Sequence, residues 1–282
     1  MASAPPGSVA ALLALARLDR LERRILLSAA SGMSREDMAR APETILDAAT
    51  KARYEALLSR REDGEPIAYL TGEREFFGRP FSVDRRVLIP RPESELLIEL
   101  ALTATRNIAH PAILDLGTGS GCLAITLSLE HPGAEVIALD VSSEALEVAA
   151  DNNQRLAAGV HFMQGDLLKT SEILARLGDQ PGRFDAIVAN PPYIAEHDPH
   201  LTQGDLRYEP KSALTDGHDG LRLIDACIRL AKLALLPRGL ILIEHGYDQA
   251  SEVRGRLLQA GFTAPRSWAD LAGIERVSGA TR

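Results

Sequence analysis

The sequence predicts an α/β protein: a doubly wound sheet with helices on both faces, preceded by a small N-terminal helical domain. Three observations carry this. From Pro111 onward, short apolar runs alternate with segments of helical periodicity, the pattern left by parallel strands and crossover helices. A glycine loop, "GTGSG" at 117–121, joins the first such run to the helical segment after it. The residues before about Asp63 show helical spacing alone.

Taken in order, Leu12, Leu13, Leu18, Leu21, Ile25 and Leu26 recur at helical intervals with Arg and Asp between them. Gly32 closes that segment, and Ser34 with Asp37 forms a capping box for a short second helix. Pro42 suits the first turn of a longer helix carrying Ile45, Leu46, Tyr54, Leu57 and Leu58. Residues 1–63 are therefore expected to form a helical bundle. Residues 64–91, "GEPIAYLTGEREFFGRPFSVDRRVLIPR", mix Gly, Pro and aromatics in short alternating runs and read as a hairpin or linker. The second domain runs from 92 to 282. Pro92-Glu93 open its first helix, with Leu96, Leu97, Leu100 and Leu102 as the apolar stripe.

Strands are expected at Ala112–Leu116, Glu135–Asp140, Val160–Gln164, Phe184–Ala189 and Leu240–His245. Helices are expected at Ser120–Glu130, Ser142–Asn153, near Ser171–Leu177, Leu221–Leu236 and Asp248–Ala260. Ligands in such folds bind beyond the carboxyl ends of the strands. Both "DLG" (115–117) and "NPPY" (190–193) fall at such ends.

Composition narrows the class. The 282 residues are 45% hydrophobic and 25% charged, ordinary globular usage. No apolar run reaches the length of a membrane span. The apolar patch at Val9–Ala16 lacks a preceding basic region and is soon interrupted by charge, so it reads as a helix start and not as a secretory leader. Cys122 and Cys227 are too few and too far apart for a disulfide scaffold or a zinc site. They read as buried apolar residues of a protein in the reducing cytoplasm. The formal net charge of −8 weighs against a nucleic-acid-binding face.

The loop "ILDLGTGSGC" (113–122) spaces its glycines G-x-G-x-G. Cys122 stands where a dinucleotide fingerprint has its third glycine, and no Lys-Ser/Thr follows to make a phosphate loop. Asp140 ends the second strand, where a carboxylate can bond a ribose diol, and Asp166 is placed to accept from an adenine amino group. A glycine turn with two acidic tips and no phosphate-binding element suits S-adenosylmethionine, whose sulfonium tolerates acidic walls. The plain alternatives are a glycine turn that only packs helix on strand, and a nicotinamide site.

The strand Phe184–Ala189 ends in Asn190-Pro191-Pro192-Tyr193. Asn190 supplies a side-chain carbonyl and Pro191 a main-chain carbonyl, both able to accept from an NH2 group. Such acceptors orient a planar nitrogen so that its lone pair faces a methyl donor. The prolines hold the backbone away from the sheet, and Tyr193 offers a ring for a planar group. The acceptor is then an amide or an aromatic amine.

Further stretches narrow this. "DGEPIAYLTGEREFFG" (63–78), "LIPRPESE" (88–95), "DLGTGSG" (115–121), "NPPYI" (190–194), "DPHLTQGDLRYEP" (198–210) and "LIEHG" (242–246) together resemble the PrmC/HemK family, the peptide-chain release factor glutamine methyltransferases. The resemblance covers nearly the whole chain. It implies a class I methyltransferase, Rossmann-like fold and N5-methylation of the glutamine in the Gly-Gly-Gln loop of class I release factors. It implies cofactor contact by Gly117, Thr118, Gly119, Ser120, Gly121, Asp140 and Asn190, with Leu167 against the adenine, beside the Asp166 contact read above from the strand end. It implies that Asn190, Pro191, Pro192 and Tyr193 hold the glutamine. Leu167 stands where some members place an aromatic ring against adenine. The N-terminal helices would help dock the release factor.

The expectation is a monomer, with neither nucleic acid nor membrane as partner. A ribosomal-protein glutamine and an adenine amino group remain alternative acceptors, and an inactive cofactor-binding regulator the non-enzymatic one. The segment "LAGIERVSGATR" ends soon after the expected last strand, which suggests a shortened final strand contact. His197 and His200 form an H-x-x-H pair with no third ligand nearby, so no metal is expected. His245 reads as structural, Glu93 and Glu95 as helix N-terminal charges, and Arg91 as a neighbour of the site. The long connection 196–220 is expected to order over a bound partner.

Overall fold

The computed structural model describes residues 5–15, 17–178 and 182–282. Residues 1–4 and Ala16, part of the N-terminal stretch read above, lie outside the described residues. The chain divides into two compact units, Met1–Glu73 and Arg74–Arg282.

The first unit carries α1 (Val9–Leu13), α2 (Arg20–Ser31), α3 (Arg35–Arg40), α4 (Ala48–Glu62) and α5 (Ile67–Thr71). Side chains cap four of them: Ser8, Asp19, Ser34 and Asp47 each accept from a first-turn N–H. The capping box at Ser34 and Asp37 is present, and Gly32 ends α2 in the left-handed region. Val9, Leu26, Leu27, Tyr54 and Leu58 are fully buried in its core. The expectation for Pro42 needs correction: α4 begins at Ala48. Asp47 caps it by accepting from Thr50 N–H at 2.8 Å, and before it residues 41–44 form a turn, with Thr44 N–H on the Ala41 carbonyl, followed by a bridge from Ile45 to Ser8. Val9 N–H donates to the Thr44 carbonyl and Leu46 N–H to that of Gly7, which holds this segment out of the helix.

A two-stranded hairpin follows, β1 (Glu73–Phe76) and β2 (Arg79–Ser82). A one-turn 3-10 segment, Pro92–Ser94, leads into α6 (Glu95–Thr105). Strands and helices then alternate: β3 (Ala112–Leu116), α7 (Cys122–Glu130), β4 (Glu135–Asp140), α8 (Ser143–Arg155), β5 (Val160–Gln164), α9 (Thr170–Leu177) and β6 (Phe184–Ala189). After the long connection with its short α10 (Lys211–Leu214) come α11 (Arg222–Ala234), β7 (Leu235–Glu244), α12 (Ala250–Gln259), β8 (Thr263–Ala269) and β9 (Glu275–Thr281).

The large sheet has the order β5-β4-β3-β6-β7-β9-β8. Strands β3 to β7 run parallel, and β9 pairs antiparallel with both β7 and β8. Alternate residues of each strand face opposite sides. Ile113, Val136, Ala138, Ala186 and Val188 pack with α6 and α7, while Leu114, Leu116, Leu139, Ile187 and Ile241 pack with α9, α11 and α12. The doubly wound sheet expected from the alternation is thus the observed fold.

Several boundaries differ, and three of the differences have a clear physical reason. Helix α7 starts at Cys122 and not at Ser120, because the loop continues to Gly121, whose left-handed φ of 82° places it as the N-cap. Helix α11 stops at Ala234, and β7 begins at once, with Leu235 opposite Phe184 and a register shift before Leu240. Pro237 in this segment has no N–H to continue a helix. The third difference is the C-terminus. The segment expected to shorten the last strand contact is itself β9, and it lies inside the sheet between β7 and β8. Cys227 is buried as expected, whereas Cys122 is only half-buried.

Candidate active site

A cavity with an empty volume of about 750 Å³ lies at the carboxyl ends of the parallel strands. Gly117 and Gly119 line it from the end of β3, Asp140 from β4, Gly165, Asp166 and Leu167 from β5, and Asn190 and Pro192 from β6. Sheet order brings these loops together although they are distant in sequence.

The glycine-loop end is built mainly from backbone. Gly117 and Thr118 N–H both donate to the Leu139 carbonyl, at 2.8 and 2.9 Å, which pins the loop over β4. Asp140 accepts from Gly119 N–H and from Ser142 N–H, each at 2.9 Å. Gly117 and Gly119 have φ of 78° and 55°, and a Cβ at either would meet nothing within 4 Å. The left-handed backbone is therefore needed for the turn, and the space beside it is open for a ligand. Burial pushes the Asp140 carboxyl up from its usual range, against the pull of its backbone donors.

Thr118, Ser120 and Gly121 do not line this cavity; they support it. Thr118 Oγ1 donates to Asp115 Oδ2 at 2.7 Å, and the Ser120 carbonyl accepts from Asn152 Nδ2 at 2.9 Å. A Cβ on Gly121 would stand 2.8 Å from Ile125 Cδ1, so its place is taken by helix packing. Asp115 is fully buried, its Oδ1 has no hydrogen-bond partner among the described residues, and burial pushes it up to about 7.

Asn190 also lines a second, smaller cavity of about 330 Å³, together with Leu88, Arg91, Pro191, Tyr193 and Leu206. Asn190 Nδ2 donates to Ser94 Oγ at 3.0 Å, and Ser94 Oγ donates to Glu244 Oε2 at 2.6 Å. The Tyr193 hydroxyl reaches Glu244 Oε1 at 3.4 Å. With Nδ2 so engaged, Asn190 Oδ1 accepts no hydrogen bond among the described residues. Glu244 is 1% exposed, and burial pushes it up to about 7. Tyr193 is pushed up as well, by burial first and then by the Glu244 charge.

The connection 196–220 is tied down from several sides. Glu209, buried, accepts from Ile89 N–H at 3.0 Å and from the Arg91 guanidinium. Ile194 bridges to Thr215, and Asp216 accepts from the N–H groups of His218, Gly220 and Arg222. His200 pairs with Asp198 at 2.6 Å on the surface. Both ring nitrogens of buried His245 are engaged, Nε2 with Ser278 Oγ and Nδ1 with the Gly246 carbonyl. Glu95 accepts from Phe77 N–H at 2.9 Å.

Reasoning from sequence gave no role to Ser94, Glu209 or Glu244. Each sits in a stretch quoted for the resemblance. Glu244 carried a further signal, a carboxylate closing the apolar run "LILIE".

The chemistry of the first cavity fits an adenosine sulfonium compound. It offers open glycine backbone and carboxylate acceptors, and its Arg86 is already held by Asp84 and Glu147. The methyltransferase small domain family matches residues 92–217, and the PrmC N-terminal domain matches residues 8–72. The release factor glutamine methyltransferase of Burkholderia pseudomallei is 50% identical over 281 residues, spanning 97% of this chain and 96% of the relative. That of Escherichia coli is 41% identical, spanning 92% and 91%. Among solved structures, a methyltransferase from Pyrococcus furiosus superposes with a TM-score of 0.50 at 17% identity, over 82% of this chain and 98% of that one. The T. thermophilus 16S rRNA N2 G1207 methyltransferase gives 0.50 at 20% identity, over 74% and 49%. These two share the fold, and the full-length relatives decide the rest: the chain belongs to the family of release factor glutamine methyltransferases.

Proposed function

We propose that the protein transfers a methyl group from S-adenosylmethionine to the side-chain amide nitrogen of a glutamine, the one in the Gly-Gly-Gln loop of class I peptide chain release factors. The observation that carries this is the meeting of two cavities at Asn190, whose amide is tied through nitrogen and free at oxygen. The cofactor, when bound, supplies an electrophilic methyl on a sulfonium. Gly117, Gly119, Asp140, Asp166 and Leu167 would hold it, while Thr118, Ser120 and Gly121 shape the loop from behind.

Asn190 Oδ1 and the Pro191 carbonyl accept the two hydrogens of the substrate NH2, leaving the nitrogen lone pair free to attack. Tyr193 and Pro192 confine the planar amide. An amide nitrogen that has gained a methyl is strongly acidic and loses its proton without a dedicated base. Catalysis is then positioning and fixed dipoles, prepared before the substrate arrives. In this reading the N-terminal helices dock the release factor. Relatives matched over nearly their full length and named release factor glutamine methyltransferases support the choice of substrate. The two free cysteines accord with a cytoplasmic enzyme.

The test is labelled methyl transfer from S-adenosylmethionine to an intact release factor, with duplex DNA in a separate tube and mass spectrometry of the products. Label on the Gly-Gly-Gln glutamine is expected. Label on adenine, or on neither acceptor while cofactor still binds, overturns the assignment.

A further inference from the structure

An asparagine side chain can present oxygen or NH2 to a ligand, and the two orientations are nearly identical in shape. Only the orientation with oxygen toward the cavities can accept from a substrate amide. Two residues outside the cavity walls decide which is adopted. Ser94 ends the 3-10 turn before α6, and Glu244 ends β7; both are buried, and neither lines either cavity.

A serine hydroxyl has one proton. A carboxylate can only accept, so the Ser94 proton goes to Glu244 Oε2. Ser94 Oγ then has only lone pairs left for Asn190, which must donate from Nδ2. The flip state of the amide is therefore dictated by a carboxylate two hydrogen bonds away. The other carboxylate oxygen takes the Tyr193 hydroxyl. We propose that Ser94 and Glu244 are positioning residues that lock Asn190 with its oxygen toward the substrate. This rests on the reading of Asn190 as the acceptor for the substrate NH2.

Protonating Glu244 gives it a donor of its own and removes the constraint. Around it stand the Ser94 and Tyr193 hydroxyls, the Glu93 carboxylate, which raises it further, and Arg276, which opposes that. Turnover is expected to fall as pH falls through the region near 7, where burial places this carboxyl. A glutamine at 244 does not titrate and removes that inflection.

The experiment uses the full-length enzyme with an intact class I release factor and S-adenosylmethionine. It measures kcat, KM and cofactor affinity for wild type, S94A, S94T, E244Q and N190A, with pH profiles of kcat for wild type and E244Q. S94A should lose about tenfold or more in kcat, as a misplaced catalytic group does. Its cofactor affinity and KM should stay within about twofold, because only an orientation is lost. S94T, which keeps the hydroxyl, should recover most of the loss, and E244Q should lack the inflection. Wild-type kcat in S94A beside an inactive N190A overturns the proposal and leaves the catalytic reading standing. Wild-type turnover in N190A overturns the reading itself. Should S94A fail to fold, E244Q decides alone: an unchanged pH profile there overturns the proposal.

Discussion

The two ends of the active-site cavity are made in different ways. The glycine-loop end comes from one continuous stretch, Asp115 to Leu167, and works largely through backbone: loop N–H groups on the Leu139 carbonyl and on Asp140. The Asn190 end is assembled from side chains far apart in sequence. Ser94 and Glu244 are 150 positions apart, and Asn190 and Ser94 are 96 apart. The first end follows from turns that any sheet of this class supplies, and it suits the cofactor. The second exists only once the sheet has closed, and it suits the acceptor. Damage at the glycine end should therefore appear in cofactor affinity, and damage at the Asn190 end in turnover.

The sharpest way to break this division is Asn190→Ala. Loss of a fixed group that orients the reacting atoms costs on the order of 100- to 1000-fold in turnover. N190A should show that loss in kcat while calorimetry still detects cofactor binding. Equal losses in both would merge the two ends into one.

Glu209 tests whether long-range bonds hold up the acceptor end. It is buried and takes both Ile89 N–H and the Arg91 guanidinium, 120 and 118 positions away. Glu209→Ala strands a buried N–H and an arginine, which costs about 3 kcal/mol by the usual worth of a broken buried pair. Denaturant unfolding should show it, and Glu209→Gln, which keeps an acceptor for Ile89, should lose less.

At the other end, Gly119→Ala puts a methyl into the open space beside the loop, on a backbone at φ 55°. The left-handed conformation alone costs roughly 1–2 kcal/mol in a residue with a Cβ. Cofactor affinity should drop about tenfold, the equivalent of 1.4 kcal/mol. The kcat at saturating cofactor should change far less. A reversed pattern, with affinity kept and kcat lost, would place the glycine loop on the acceptor side.

The same contrast explains what was legible in the sequence. The sheet, the glycine turn and the tip residue Asp140 are local features: a periodicity, a spacing and a strand end. "NPPY" was legible because prolines after an apolar run have no place inside a sheet. Ser94 and Glu244 were not, because a serine beside a proline turn and a glutamate at a strand end carry no local mark of each other. Their partnership is fixed by the start of α6 packing over β6 and β7, which periodicity cannot announce. The C-terminal strand was misjudged for a related reason. An insertion between two earlier partners leaves its trace in the fold, and the segment itself reads as a short tail.

Each end also holds one buried acid pushed up to about 7, Asp115 beneath the glycine loop and Glu244 behind Asn190. For a carboxyl raised on folding, the native state holds a proton that the unfolded chain has released. From the unfolded values of 3.8 and 4.5 up to about 7, stability therefore falls as pH rises. Each group gives about 1.4 kcal/mol per pH unit at most. The depressed carboxyls Asp37, Asp47 and Asp84 act the other way, but their stabilisation is lost only as pH falls below the ordinary carboxylate range. His245, held below 6.5 by burial, also opposes the slope in the acid range. The quantity to read is thus the difference between wild type and variant in chemical denaturation, from about pH 5 to 8. Asp115→Asn and Glu244→Gln should each gain stability on wild type as pH rises across that window. The pH profile of kcat should lose its inflection in E244Q and keep it in D115N. If D115N altered that profile as well, the two ends would be one coupled site, and the division between a backbone-built cofactor cradle and a side-chain-built acceptor clamp would fail.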